Sequence, residues 1–139
     1  MIIIKKIPNY LKDQSGATAV EFALVAILFL TFVFGIIEAG RMFWTWNTLQ
    51  YSVEQAARYA LVNPDALSTE IEQVIISNMQ GIQVNPNNMT ATITTTTLSN
   101  INFIEINAEY SFTALTTILP DAFNTVVLTA DTRLPISSN

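Results

Sequence analysis

Residues 15–22, Ser-Gly-Ala-Thr-Ala-Val-Glu-Phe, decide how this chain is organised. They join a basic leader, residues 1–16 with three lysines and one aspartate, to a long apolar segment. The carboxylate of Glu21 stands at the start of that segment. A charge at mid-bilayer costs roughly 2.5 kcal/mol or more on insertion scales, and less near an interface. Glu21 is therefore a candidate functional residue, because a partner that neutralised it would lower this cost.

The apolar segment is long enough to cross a membrane. Residues 17–37 carry Glu21 as their only charge, and at ~1.5 Å per residue they give about 32 Å of helix, against ~30 Å of hydrocarbon. The lysines precede this segment, and the first charges after it are Glu38 and Arg41. By the positive-inside rule we expect a cytoplasmic N-terminus, with residues 38–139 on the other side.

Side chains typical of membrane interfaces flank the span on both sides. Basic residues favour the cytoplasmic boundary, and tryptophan favours the outer one. The predicted anchors are Lys5, Lys6 and Lys12 inside and Trp44 and Trp46 outside. A secretory signal peptide fits less well, because the apolar core exceeds 7–15 residues and a cut after Ala39 would put the large Ile37 at the minus-three position.

The composition argues against several classes of function. The 139 residues include no cysteine and no histidine, and no lysine follows Gly16. The commonest metal ligands, general base and thiol nucleophile are thus missing. Residues 17–139 hold three basic and ten acidic groups, without the basic stripe of a nucleic-acid-binding protein. We expect no enzymatic activity, no cofactor, no metal site and no nucleic-acid partner.

A helix is expected to continue beyond the membrane over residues 38–62 and to stop at Asn63-Pro64. Its apolar residues follow a three-four spacing that marks one helical face, which we expect to pack on the head. They are Ala39, Met42, Phe43, Trp46, Leu49, Val53, Ala56, Ala57 and Ala60. Whether this helix continues the span without a break stays open, since Gly35 or Gly40 could bend it.

The rest of the chain, residues 63–139, predicts a small α+β head. A second helix is expected from Leu67 to Gln80, capped by Asp65 or Ser68 and ended by Gly81. Alternation of apolar and polar residues then predicts three or more antiparallel strands. The apolar series are Met89, Ala91, Ile93 and Thr95; Ile104, Ile106, Ala108, Tyr110 and Phe112; and Val126, Leu128, Ala130, Thr132 and Leu134. Glu105 and Glu109 share the polar face of the second strand, where solvent exposure explains them more simply than a catalytic carboxylate pair.

The segment from Gly16 to Phe22 resembles the cleavage site of type IV prepilins: a glycine, four small or apolar residues, then Glu-Phe. The run from Glu21 to Glu38 is similar, more specifically, to TadE-like pseudopilins of tight-adherence (Tad/Flp) type IVb pilus systems. The resemblance covers residues 5 to about 62. It implies that a prepilin peptidase cuts between Gly16 and Ala17, leaving the span as an anchor. Many type IV pilins begin the mature chain with phenylalanine, whereas this one would begin with Ala17.

The resemblance also implies a role. Glu21, beside Phe22, would pair with the N-terminal amine of a neighbouring subunit. The chain would be a minor pilin, because its head is much larger than a Flp-type major pilin, and would serve an adhesive filament. Implied partners are the peptidase, other pilin or pseudopilin subunits, the inner-membrane assembly platform and the lipid bilayer. The implied location is the bacterial inner membrane, single-pass, with the head periplasmic or extracellular.

A second hypothesis stays open: an uncleaved, single-pass, membrane-anchored periplasmic binding or sensing module. Glu21 lies only about one turn from Ala17 and could reach headgroups or cytoplasmic water without any partner. Such a module would keep its leader and act through a pocket in the head. Replacing Gly16 or Glu21 would then have little effect, whereas a pilin subunit would fail to mature or assemble.

Overall fold

The computed structural model describes residues 15–80, 85–115 and 124–136. The predicted α+β fold, with a long N-terminal helix, one further helix and an antiparallel sheet, is confirmed. The elements are α1 (Ser15–Val62), α2 (Ser68–Met79), a 3-10 turn (Pro86–Asn88), β1 (Met89–Leu98), β2 (Ile101–Thr113) and β3 (Thr125–Ile136). The predicted anchors Lys5, Lys6 and Lys12 lie outside the described residues.

Helix α1 is continuous, which the sequence alone left open. Its 48 residues correspond to about 72 Å, and Gly35 and Gly40 lie within it. The end of the helix follows from Asn63-Pro64, because a residue before proline disfavours helical backbone. Both the backbone and the side-chain N–H of Asn63 bond to the carbonyl of Tyr59, at 3.0 and 2.9 Å.

The three strands form an antiparallel sheet in the order β1-β2-β3. The predicted alternation is clearest in β2, where every second residue from Ile104 to Phe112 is buried. A two-residue turn joins β1 to β2, and both of its residues, Ser99 and Asn100, have positive φ, at 51° and 65°. Such a turn matches the twist of paired strands. This turn was not predicted from the sequence, because the turn contains no glycine.

The core lies between one face of this sheet, α2 and the C-terminal half of α1. The buried apolar residues are Leu49, Val53, Ala56, Ala57 and Ala60 of α1, Ile71, Ile75 and Met79 of α2, and Met89, Ile104, Ile106, Ala108, Tyr110, Phe112, Leu128 and Ala130 of the sheet. The upper part of the apolar face predicted on α1 therefore packs on the head as expected. Removing this apolar surface from water stabilises the head at about 25 cal/mol per Å².

The lower part of that predicted face was wrong. Phe43 is 62% exposed and Trp46 is 41% exposed, whereas the polar residues Glu38, Thr45 and Ser52 are buried. At about 100° per residue these three lie on the same side of α1 as the buried Leu49 and Ala56. Polar side chains thus occupy one side of the buried face, and apolar spacing alone predicts that face too far around the helix.

The N-terminus of α2 also differs from the prediction. The helix begins at Ser68, so Ser68 is not its cap, and the flanking residue is Leu67. The carboxylate of Glu70 accepts a hydrogen bond from the backbone N–H of Leu67 at 3.1 Å. A carboxylate in the first turn is also favourable next to the positive end of the helix dipole. Glu70 thus binds the backbone of the flanking residue, and the side-chain cap expected from Asp65 or Ser68 is not formed.

Candidate assembly helix and its junction with the head

No residue from 16 to 37, in the N-terminal half of α1, is buried, and most of them are exposed. An 18-residue window of this helix is long and apolar enough to span a membrane, and none of the residues in the window is buried. The one hydroxyl in its middle, that of Thr31, donates to the carbonyl of Ile27 at 2.9 Å. A polar group bonded in this way can enter hydrocarbon at lower cost. This half of the helix is therefore suited to a lipid environment or to packing against other apolar helices.

The predicted cleavage site lies in the first turn of α1, because the helix begins at Ser15. A Cβ added to Gly16 would meet nothing within 4 Å, so packing within the described chain does not require glycine there.

The helix places Glu21 four residues after Ala17, and residues at this spacing lie on the same face. Both Glu21 and the neighbouring Phe22 are exposed, the latter at 73%. On the surface of α1, Glu21 therefore lies on the same face as Ala17, the residue whose amine the resemblance assigns to subunit pairing.

Glu38 forms the junction between the apolar half of α1 and the head. Its side chain is 6% exposed and forms an ion pair with Arg41, one turn further on. Its other carboxylate oxygen accepts a hydrogen bond from the backbone N–H of Leu115 at 2.7 Å, just beyond β2. The Arg41 guanidinium lies 5.0 Å from the centre of the Phe112 ring. A buried carboxylate needs such partners, because an unpaired one would be strongly destabilising.

Two further side chains of α1 bind the edge strand β3. The indole N–H of Trp46 donates to the carbonyl of Thr129 at 3.0 Å, and the Gln50 amide donates to the carbonyl of Asp131 at 3.4 Å. Trp44, the other tryptophan predicted as an interface anchor, is 65% exposed. Of the two tryptophans, Trp46 is therefore the one whose indole N–H binds the head.

On the sheet face away from the core, the two glutamates noted in the sequence have different surroundings. Glu105 pairs with Arg133 at 2.9 Å and accepts a hydrogen bond from the Thr96 hydroxyl at 3.1 Å. Glu109 is exposed opposite Thr129. Cross-strand contacts thus account for Glu105. Over residues 15–80, 85–115 and 124–136, no three His, Cys, Asp or Glu side chains come together in a way that could hold a metal ion.

In the sequence, Glu38 and Arg41 stand out only as the first charges after the span, and neither was predicted to contact the head. Their i,i+3 spacing was the available signal, since residues three apart are neighbours on a helix. The bond from Leu115 to Glu38 joins residues 77 apart in the chain, and no local pattern encodes it.

Comparison with protein families shows that residues 16–58 match the family described as TadE-like protein. The match covers the apolar half of α1, the Glu38 junction and most of the segment that packs on the head. Comparison with curated proteins and with solved structures gives no match. The TadE-like family is a structural one associated with the Tad pilus. The match thus confirms the resemblance to TadE-like proteins over residues 16–58, which form most of α1.

Proposed function

We propose that this chain is a minor pilin-like (pseudopilin) subunit that helps to assemble or secrete a Tad/Flp adhesive pilus. The observation that carries the proposal is the division of α1 into two parts. Residues 16–37 are mostly exposed, with none buried, and are uncharged apart from Glu21, while the head packs on residues 38–60. An apolar helix that its own head leaves uncovered can pass from the bilayer to a bundle of similar helices, since both surroundings are apolar.

Maturation is the first step of the proposed role. A prepilin peptidase hydrolyses the bond between Gly16 and Ala17 on the cytoplasmic side and releases the basic leader. The new α-amino group at Ala17 is charged at neutral pH. Because Ala17 and Glu21 share a face of α1, the amine of one subunit can approach the Glu21 carboxylate of a neighbour. Pairing would relieve the cost of a buried charge and favour one axial register between subunits.

Processing can be tested by intact-mass measurement and N-terminal sequencing of the protein from membranes that contain a prepilin peptidase. We expect a mature chain that begins at Ala17. Gly16→Leu should abolish this product. Gly40→Leu is a matched control on the same helix, because a Cβ at either glycine meets nothing within 4 Å, and it should be processed normally. A chain that still begins at Met1 beside an active peptidase would instead support the uncleaved, membrane-anchored module.

Assembly can be tested separately with Glu21→Gln, which removes the charge and keeps the shape. Glu54→Gln is the control, an exposed glutamate on the part of α1 that packs on the head. We expect Glu21→Gln to be cleaved but to lose cross-linking to other pilin subunits and to reduce pilus formation. Normal assembly of Glu21→Gln would contradict the pairing role, and an equal defect in Glu54→Gln would make the effect unspecific.

A further inference from the structure

The sheet runs alongside α1. The contacts between sheet and helix show which sheet residue lies level with which residue of α1. Glu38 binds the backbone of Leu115, Trp46 binds Thr129 and Gln50 binds Asp131. Four helical residues rise about 6 Å, close to the rise of two strand residues. Strand β3 therefore follows α1 in the same direction, and the end of the sheet that carries Leu115 lies level with Glu38.

Aromatic residues on α1 stand just above this level. Phe43 and Trp44 are 62% and 65% exposed, and the Phe43 ring lies 5.9 Å from the ring of Trp46. Aromatic side chains of this kind favour the headgroup level of a bilayer. About 20 helical residues cross the hydrocarbon. If the outer boundary of the hydrocarbon lies at Met42, just before these aromatic residues, its inner boundary lies near Ala23. Glu21 then lies at the inner boundary, where a carboxylate costs less.

This position brings Glu38 and Arg41 to the outer edge of the hydrocarbon, which their surroundings permit. The two charges are paired, and the Glu38 side chain is only 6% exposed. The Arg41 side chain is 38% exposed, and its guanidinium is held by the Glu38 carboxylate and the Phe112 ring. The junction thus presents no uncompensated carboxylate to the lipid.

The head carries exposed apolar side chains at the same level. Leu115 is 76% exposed, and its backbone N–H is fixed to Glu38. Val127 of β3 is 55% exposed and lines a shallow hollow together with Met42, Phe43 and Trp46 of α1. This apolar surface continues directly from the exposed apolar half of α1.

We infer that the membrane-proximal end of the head rests in the outer lipid interface, with Leu115 and Val127 in contact with lipid. Because the buried Glu38 is paired with Arg41, the helix can sit deep enough for this contact. The inference rests on α1 spanning a bilayer, as the proposed function also does. It does not depend on cleavage at Gly16 or on pairing through Glu21.

The chain contains no cysteine, so a single introduced cysteine can carry a nitroxide label without a background signal. The test site is Leu115→Cys. The aqueous control is Leu98→Cys, 57% exposed beside the β1–β2 turn at the other end of the sheet. The membrane control is Ile36→Cys, 72% exposed in the span. The labelled proteins are placed in phosphatidylcholine–phosphatidylglycerol vesicles at low protein-to-lipid ratio. For each label we measure the collision rate with oxygen, which enters lipid, and with a nickel chelate, which stays in water.

We expect the Leu115 label to be several-fold less accessible to nickel than the Leu98 label, and the Val127→Cys label to behave like it. Nickel accessibility at Leu115 equal to that at Leu98, with Ile36 protected, would overturn the inference and leave the membrane anchor intact. If the protection of the Leu115 label from nickel disappears as the protein is diluted in lipid, a second copy of the chain covers this surface. That result would also overturn the inference. An Ile36 label open to nickel would refute the span itself, and with it both proposals.

Discussion

The indole N–H of Trp46 donates a hydrogen bond to the carbonyl oxygen of Thr129 across 3.0 Å, although the two residues are 83 positions apart in the chain. Strand β3 stands at one end of the strand order. An open strand edge offers unpaired backbone groups to other chains, and this bond occupies one of them. It also fixes the aromatic segment of α1 to the head, so that the two should behave as one rigid unit.

Trp46→Phe should destabilise the head by about 0.5–1.5 kcal/mol, the usual contribution of one hydrogen bond. An aromatic ring remains, while the five-membered ring of the indole and with it the donor to Thr129 are lost. Unfolding by denaturant in detergent micelles, followed by circular dichroism, measures the change. Trp44→Phe is the control, because Trp44 is 65% exposed, and it should leave the midpoint unchanged. Equal midpoints for the two variants would show that the bond to Thr129 is not stabilising.

Glu38→Ala should be more damaging than the loss of one hydrogen bond. It leaves the N–H of Leu115 without its carboxylate acceptor and removes the partner of Arg41. The bond to Leu115 is partly buried, so its loss should cost about 1 kcal/mol or more, and the loss of the ion pair with Arg41 adds to this. The same unfolding measurement applies, with Glu54→Ala as the exposed control on the same helix. A Glu38→Ala variant as stable as the control would argue against the junction as described.

Ala57→Leu should destabilise the head by about 1–3 kcal/mol through overpacking, because Ala57 is completely buried in the core. The matched variant is Ala39→Leu, the same change at an exposed position on the same helix. We expect its unfolding midpoint to stay at the wild-type value. Thermal unfolding of both variants would check where the head lies along α1. If Ala39→Leu lowered the unfolding midpoint more than Ala57→Leu, the head would pack on a different part of the helix.

Two opposite substitutions at Ser99 should separate the effect of the turn from other causes. Ser99 has φ of 51°, a conformation that asparagine tolerates and β-branched residues strongly disfavour. We expect Ser99→Val to lower the free energy of unfolding by about 1–2 kcal/mol, while Ser99→Asn leaves it equal or slightly higher. If Ser99→Val were neutral in denaturant titrations, the left-handed conformation of this turn would be refuted.

Much of the architecture could be predicted because its signals are local. The strand series ending at Phe112 and Leu134 follow from simple alternation, and α2 follows from its apolar spacing and the glycine after it. The β1–β2 turn was missed because neither Ser99 nor Asn100 is glycine. The cap of α2 was assigned to the wrong residue, because a short polar side chain before a helix is only one of several ways to bond its first N–H groups.

The sequence by itself determined the apolar span, the position of Glu21 after Gly16 and the TadE-like character of the N-terminal segment. These properties depend on residues close together in the chain. Only the tertiary structure decided that α1 is unbroken, that Glu38 is buried against Leu115 and that Trp46 binds Thr129. Those contacts depend on the register of the sheet along α1. That register results from packing many side chains at once, and no pattern within a single segment contains it.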